Sequence, residues 1–302
     1  MKVLIAGVTG YIGSNLAIAL AEDGHEVVGT SRNPERARPL RGVSLLHRWS
    51  PATQPLTSDA LEGVDAVVLL TGEGVVARWT AAKKRRLRES RVTAAQNVVA
   101  GIEASAHKPS VLIGGSAVGY YGDRGDDELT EDEPPADDWL AGLTAEWEAA
   151  ADRARDLGVR VVNNRTGHVV GKDCPFLKPM MLVWKLGLGG RLGNGRQWWP
   201  WVHIDDVTAA IRFVIENEKV SGPVNVVSPR AVRQAEFAKA FGRALHRPVF
   251  TWAPGIALRL VLGEMAGEVL NSKHVLPSAL AEAGFTFVHA DLDSALSNAV
   301  SR

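Results

Sequence analysis

The sequence predicts an α/β fold: a doubly wound parallel sheet with helices on both faces and a smaller C-terminal lobe. Three observations carry this. Over the first two thirds of the chain, short β-branched apolar runs alternate with longer amphipathic stretches, the pattern of a parallel sheet buried on both sides. The first run ends in Gly7-Val8-Thr9-Gly10-Tyr11-Ile12-Gly13, a glycine turn set between a strand and a helix. After Arg165 the pattern changes, and glycine and tryptophan cluster between Leu186 and Trp201.

Taken in order, the expected strands are Val3–Ala6, Glu26–Thr30, Val43–Leu46, Ala66–Leu70, Ser110–Gly114 and Arg160–Asn164. Each is short and rich in residues that suit a pleated, buried surface. Helices are expected at Ile12–Ala21, Thr80–Ser105 and Trp139–Leu157, where apolar residues recur at helical spacing. The run Lys83-Lys84-Arg85-Arg86-Leu87-Arg88 lies inside the second of these and reads as a solvated helix face. Gly122–Asp138 is rich in Asp, Glu, Gly and Pro and reads as a surface loop.

A soft boundary near residue 170 separates residues 1–170, a nucleotide-binding lobe, from residues 171–302, a substrate lobe. Later segments are expected to return to the first lobe. Beyond the boundary the pattern gives a helix at Asp205–Glu216, with Asp205 as its N-cap, and a strand at Val224–Val227. Helices follow at Gln234–Leu245, Gly255–Leu262 and Pro277–Ala283, forming a small helical unit from about residue 247.

Composition narrows the function. The chain has 302 residues, with 34 Lys+Arg against 34 Asp+Glu. Zero net charge argues against nucleic-acid or membrane-surface partners, which favour a basic excess. The lone Cys174 excludes an internal disulfide and a cysteine zinc knuckle. No apolar run approaches the roughly 20 residues of a membrane helix, and the apolar start breaks at Gly7 without a signal-peptide pattern. The expected location is the cytoplasm, and the expected partner is a small-molecule substrate.

The glycine turn suits a dinucleotide pyrophosphate. Its first glycine permits the tight turn, its second lets backbone approach phosphate, and its third lets helix pack on strand. The helix N-terminus adds partial positive charge. The candidate cofactor residues are Gly7, Thr9, Gly10, Tyr11, Ile12 and Gly13. An NAD site usually places Asp or Glu at the end of the second strand. Here the sequence reads Thr30-Ser31-Arg32-Asn33, with Arg36 and Arg38 close by. Arg32 stands where a 2′-phosphate would lie, and guanidinium pairs with phosphate through charge-assisted hydrogen bonds. Ser31 and Arg32 therefore favour NADP.

These motifs resemble a known family. Gly7-x-x-Gly10-x-x-Gly13, Asp65-Ala66-Val67-Val68-Leu69-Leu70 and Gly115-Ser116-Ala117-Val118-Gly119-Tyr120-Tyr121-Gly122 resemble extended and atypical short-chain dehydrogenase/reductases. Arg78-Trp79-Thr80, Ser90-Arg91, Trp147-Glu148, Gly195-Arg196-Gln197-Trp198, Trp201-Val202-His203-Ile204-Asp205-Asp206 and Gly263-Glu264 are similar to one branch, the epimerase family proteins. That branch is related to nucleoside-diphosphate-sugar epimerases and carries a C-terminal domain of unknown function. The resemblance implies a Rossmann-type sheet that binds NADP under a C-terminal lobe. It places Thr71 and Gly72 along the ribose and adenine side, and Ser116 and Ala117 near the nicotinamide.

The family's chemistry generally uses a Tyr-x-x-x-Lys pair, in which the ammonium makes the phenol a workable proton shuttle. The corresponding helix here, Asp138 to Glu148, holds neither residue; Leu140 and Thr144 occupy the two positions. The chain has three tyrosines, and Tyr11 lies in the phosphate turn. A phenolic acid would therefore be Tyr120 or Tyr121, with Ser116 as a hydrogen-bond donor to a substrate carbonyl. Asn164 at a strand end, Trp201 in the aromatic cluster and His203 are the candidate substrate-binding residues. His203-x-Asp205-Asp206 is thin for a metal, and none is expected. His168 reads as a satisfied loop histidine, and Arg165 as half of an ion pair. The pattern leaves three functions: an NADP-dependent oxidoreductase or epimerase-like enzyme on a small polar carbonyl or hydroxy compound, a non-catalytic NADP-binding regulator, or a non-redox cyclase or isomerase.

Overall fold

A computed structural model describes residues 1–37 and 39–301; Arg38 lies outside the described residues. Seven strands form one sheet: β1 (Lys2–Ala6), β2 (Glu26–Ser31), β3 (Leu45–Arg48), β4 (Ala66–Leu69), β5 (Val111–Ala117), β6 (Arg160–Thr166) and β7 (Gly222–Val226). Their order is β7-β6-β5-β4-β1-β2-β3, and every pairing is parallel. The order reverses beside β1, so the crevice at the carboxyl ends of β1 and β4 is the topological switch point.

Alternation along each strand builds two cores. Leu4, Ala6, Val67 and Leu69 enter one, with α3 (Ala94–Ala104) and α4 (Trp139–Asp152) over them. Val3, Ile5, Ala66 and Val68 enter the other, beneath α1 (Tyr11–Glu22) and α6 (Ile204–Glu216). Burial on both faces explains why these strands read as unbroken apolar runs. The seventh strand comes from beyond residue 170, so the chain re-enters the sheet after leaving it.

Three expectations shift. The third strand is Leu45–Arg48, not Val43–Leu46. It is an edge strand whose residues are half-buried or exposed, so hydrophobicity marks it poorly. The helix expected over Thr80–Ser105 is α2 (Ala81–Arg88) and α3, joined by a π-helical turn at Glu89–Thr93. The turn presents the half-buried Arg91, which donates to the Glu73 carbonyl at 3.0 Å.

The N-cap of α6 is His203, not Asp205. The helix begins at Ile204, which places Asp205 in its first turn. There the Asp205 carboxylate meets His203 Nδ1 at 3.3 Å and His289 Nε2 at 3.1 Å. His203 and His289 together hold the Asp205 carboxyl below its usual range. The neighbouring Asp206 accepts from the backbone N–H groups of Val288 and His289 at 2.7 and 3.0 Å, which ties the C-terminal segment to α6.

Candidate active site

The glycine turn sits at the switch point as its spacing requires. Gly7 has φ +102°, and a Cβ there would lie 2.7 Å from the Leu70 carbonyl carbon. A Cβ on Gly13 would lie 2.4 Å from the Gly7 oxygen. Only bare backbone lets β1, β4 and α1 meet this closely. No side chain caps α1, so the donors of its first turn are open to an anion. The Tyr11 hydroxyl donates to the Lys172 carbonyl at 2.9 Å.

Around the mouth, the end of β2 presents Ser31 and an exposed Arg32. Arg36 is exposed as well. Thr71 follows β4 with its hydroxyl buried and unpartnered. A Cβ on Gly72 would lie 3.2 Å from the Arg91 guanidinium, so Arg91 braces this loop from behind. Burial lowers the Arg91 pKa to about 10. Asn164 on β6 is 3% exposed, yet neither its oxygen nor its nitrogen has a partner. Open helix donors and orphaned polar groups at one sheet edge fit a polar, phosphate-bearing ligand.

The next element along the edge, β5, delivers Ser116 into a buried ionic network. The Ser116 hydroxyl donates to Glu148 Oε1 at 2.5 Å. Arg165 grips both Glu148 oxygens at 2.8 Å each, the paired-fork geometry of strong ion pairs. The Arg165 guanidinium also lies 3.6 Å from the Tyr120 ring centroid and donates to Tyr121 Oη at 2.9 Å. Burial opposes its charge, yet the paired Glu148 carries the Arg165 pKa above its ordinary value. The ion pair expected for Arg165 is thus with Glu148.

This network corrects two catalytic expectations. Tyr121 is fully buried, and its hydroxyl donates to Asn225 Oδ1 at 2.7 Å. Burial pushes its pKa up to about 12, against the pull of Arg165. It is a structural phenol. Ser116 is committed to a carboxylate rather than free for a carbonyl. Tyr120 is half-buried, edge-on to Tyr121 at 5.4 Å.

Two substrate-binding expectations also change. Trp201 is 1% exposed and donates to the Arg230 carbonyl at 3.2 Å. His203 is 1% exposed, with Nε2 against Asn298 Oδ1 at 3.2 Å. Both lie on the strand Trp201–His203, which pairs with His168–Val170 and is buried there. Trp199 and Trp201 of the aromatic cluster belong to the core, whereas Trp198 is half-buried against His274.

A cavity of about 220 Å³ opens between Trp79, Trp139, Leu140, Glu264 and Glu268. Leu140 lines it. Thr144 donates to the Leu140 carbonyl at 2.8 Å. A Cβ on Gly119 would lie 2.6 Å from Leu140 Cδ2 and 3.8 Å from Glu268 Oε1. Behind Glu268 stands Lys273, 2% exposed, its Nζ 3.4 Å from Glu268 Oε1. A carboxylate backed by a buried ammonium thus flanks the end of the β5 loop. Sequence reading missed this pair, because a Glu-x-x-x-x-Lys spacing far down the chain carries no local signal.

His168 shares this edge. It is half-buried and stacks on Phe176 with centroids 5.0 Å apart, and its buried Nε2 has no partner. Burial, and then the charge of Lys273, lowers its pKa from 6.5 to about 3. The unfolded chain takes up that proton near pH 6.5, and the folded chain does so only near pH 3. Stability is therefore full above pH 6.5 and falls as pH drops through this window, by up to about 1.4 kcal/mol per unit. Thermal melts should show His168→Phe losing less stability than wild type between pH 7 and 5. Equal losses would remove His168 from the account.

A family model described as the NAD dependent epimerase/dehydratase family matches residues 3–227. The chain belongs to the NAD-dependent epimerase/dehydratase family. A second model, a domain of unknown function called DUF1731, matches residues 253–299. Among relatives of this epimerase family chain, an epimerase family protein of Mycobacterium leprae is 38% identical over 99% of this chain and 96% of its own length. Human epimerase family protein SDR39U1, solved with NADPH, superposes with a TM-score of 0.87 at 32% identity, covering 98% of both chains. The nucleoside-diphosphate sugar epimerase of Corynebacterium glutamicum gives 0.77 at 31% identity, over 99% of this chain and 57% of its own. An NAD(P)-binding Rossmann-like fold follows from this membership. Among the described residues, no helix is long and apolar enough to cross a membrane.

Proposed function

We propose that this epimerase family chain is an NADP-dependent oxidoreductase or epimerase-like enzyme acting on a small polar carbonyl or hydroxy compound. The observation that carries the reading is the uncapped glycine turn at the carboxyl end of β1, beside the end of β2, where Arg32 follows and no carboxylate stands. The N–H groups of Tyr11, Ile12 and Gly13 would hold the pyrophosphate, with Gly7, Thr9 and Gly10 shaping the turn. Ser31 and Arg32 would hold the 2′-phosphate, and Thr71 and Gly72 the ribose and adenine side. The NADPH complex of human SDR39U1 supports this choice.

When bound, the cofactor supplies or accepts hydride at the substrate carbon. The proton on the substrate oxygen is left to the protein. In this reading the Glu268 carboxylate, fixed by the charge of Lys273, accepts that proton from a hydroxy substrate. Trp79 and Trp139 wall the cavity and exclude water beside it. Arg165 and Glu148 keep Ser116 and the β5 loop in place.

Nucleotide titration tests the cofactor assignment. NADPH at 100 times Kd should add about 2.7 kcal/mol of stability. Arg32→Ala should weaken NADPH about 10- to 100-fold, the worth of a charged hydrogen-bond pair, and leave NADH unchanged. No stabilisation by NADPH overturns the reading. A second reading, a non-catalytic NADP-binding regulator, draws on Leu140 and Thr144 at the Tyr and Lys positions. Hydride transfer to any carbonyl in a broad panel, lost in Glu268→Gln with NADPH binding kept, decides for the enzyme.

A further inference from the structure

The C-terminal lobe carries an apolar face that nothing among the described residues covers. Helix α8 (Gly255–Leu262) has the sequence GIALRLVL and no buried residue. Beside it, Leu186, Leu188, Phe250 and Trp252 join Ile256 and Leu260 at 58–77% exposure. These segments adjoin one another. Trp252 pairs with Arg191 in a two-stranded ladder, and the Thr251 hydroxyl donates to the Leu188 carbonyl at 3.0 Å. Arg247 donates to the Lys185 carbonyl at 3.4 Å. Contiguous exposed apolar surface of this kind marks an interaction site.

Charge says what it meets. Residues 177–197 and 247–262 contain six Lys or Arg and no Asp or Glu, inside a chain whose total charge is zero. Lys178 pairs with Asp173. Lys185, Arg191, Arg247 and Arg259 are exposed and have no carboxylate partner among the described residues. Arg191 and Arg259 line one depression with Asn194, Trp252 and Ile256. Two guanidiniums set among apolar side chains match a phosphate that carries acyl chains.

We propose that this face seats on an anionic phospholipid surface. Its apolar side chains enter the headgroup boundary, and Lys185, Arg191, Arg247 and Arg259 meet lipid phosphates. Two rival occupants fit less well. A second copy would set the same cations against each other. A partner helix would have to strip water from four cations that lipid phosphates meet at the surface. The zero net charge that argued against a membrane partner conceals this local excess.

The test is sedimentation of the full chain with vesicles of phosphatidylcholine, with or without 30 mol% phosphatidylglycerol as the chosen dose. The protein should pellet with the anionic vesicles only, and less at high salt. Ile256→Asp with Leu260→Asp should abolish pelleting while circular dichroism and the melting temperature stay native. Arg191→Gln with Arg259→Gln should weaken it on the order of 25-fold, about fivefold for each cation near an anionic surface. No pelleting with anionic vesicles, or equal pelleting with neutral ones, overturns the proposal. So does pelleting that survives both variants. A lipid-free dimer that Ile256→Asp with Leu260→Asp dissociates would assign the face to a second copy instead.

Discussion

Arg165→Met should cost about 3–5 kcal/mol of stability, the penalty for leaving one member of a buried ion pair alone. Arg165 and Glu148 side chains are 3% and 9% exposed, so water cannot take over from the missing partner. The loss spreads, because Arg165 also donates to Tyr121 and to the Glu131 carbonyl. Glu148 would then keep only the Ser116 hydroxyl. In a chain of this size the shift is on the order of 10 °C in Tm. The double variant Glu148→Leu with Arg165→Met should recover much of it, since an apolar pair leaves no charge stranded. A single variant that melts with wild type, or a double variant worse than the sum of both singles, refutes the arrangement.

Gly13→Val should abolish NADPH binding outright. The first added carbon would stand 2.4 Å from the Gly7 oxygen and 2.9 Å from the Val8 Cα, and both are backbone atoms that cannot swing aside. Helix α1 must then lift from β1, which removes its first-turn donors from the mouth. Overpacking of this kind costs about 1–3 kcal/mol, so the variant should remain folded at 25 °C. The measurement is the rise in melting temperature with NADPH: present in wild type, absent in Gly13→Val. A preserved rise would mean that the nucleotide binds elsewhere.

What the sequence made legible was local. The glycine turn, the buried strands and the helices beside them depend on residues a few positions apart, and most stand where the spacing put them. What it hid was pairing at a distance. Asp205 looked like a cap because His203, two residues earlier, is an unusual one, and because His289 lies 84 residues away. Trp201 and His203 looked like cleft residues because nothing in their own segment announces pairing with His168–Val170. Ser116 looked free because its acceptor, Glu148, is on another element. Lys273 carries no local signal because its burial comes from the fold around it, not from its neighbours in the chain.

The late return of β7 to the sheet sets an order on synthesis. Arg165 leaves the ribosome about 60 residues before Asn225, whose side chain accepts from Tyr121 and donates to the Leu276 carbonyl at 2.9 Å. Glu131 waits longer still for the Ala279 N–H at 3.2 Å. The nascent chain therefore carries an unfinished ionic centre until its final fifth emerges. A messenger truncated near residue 220 should yield a product that chaperones and proteases handle as unfolded.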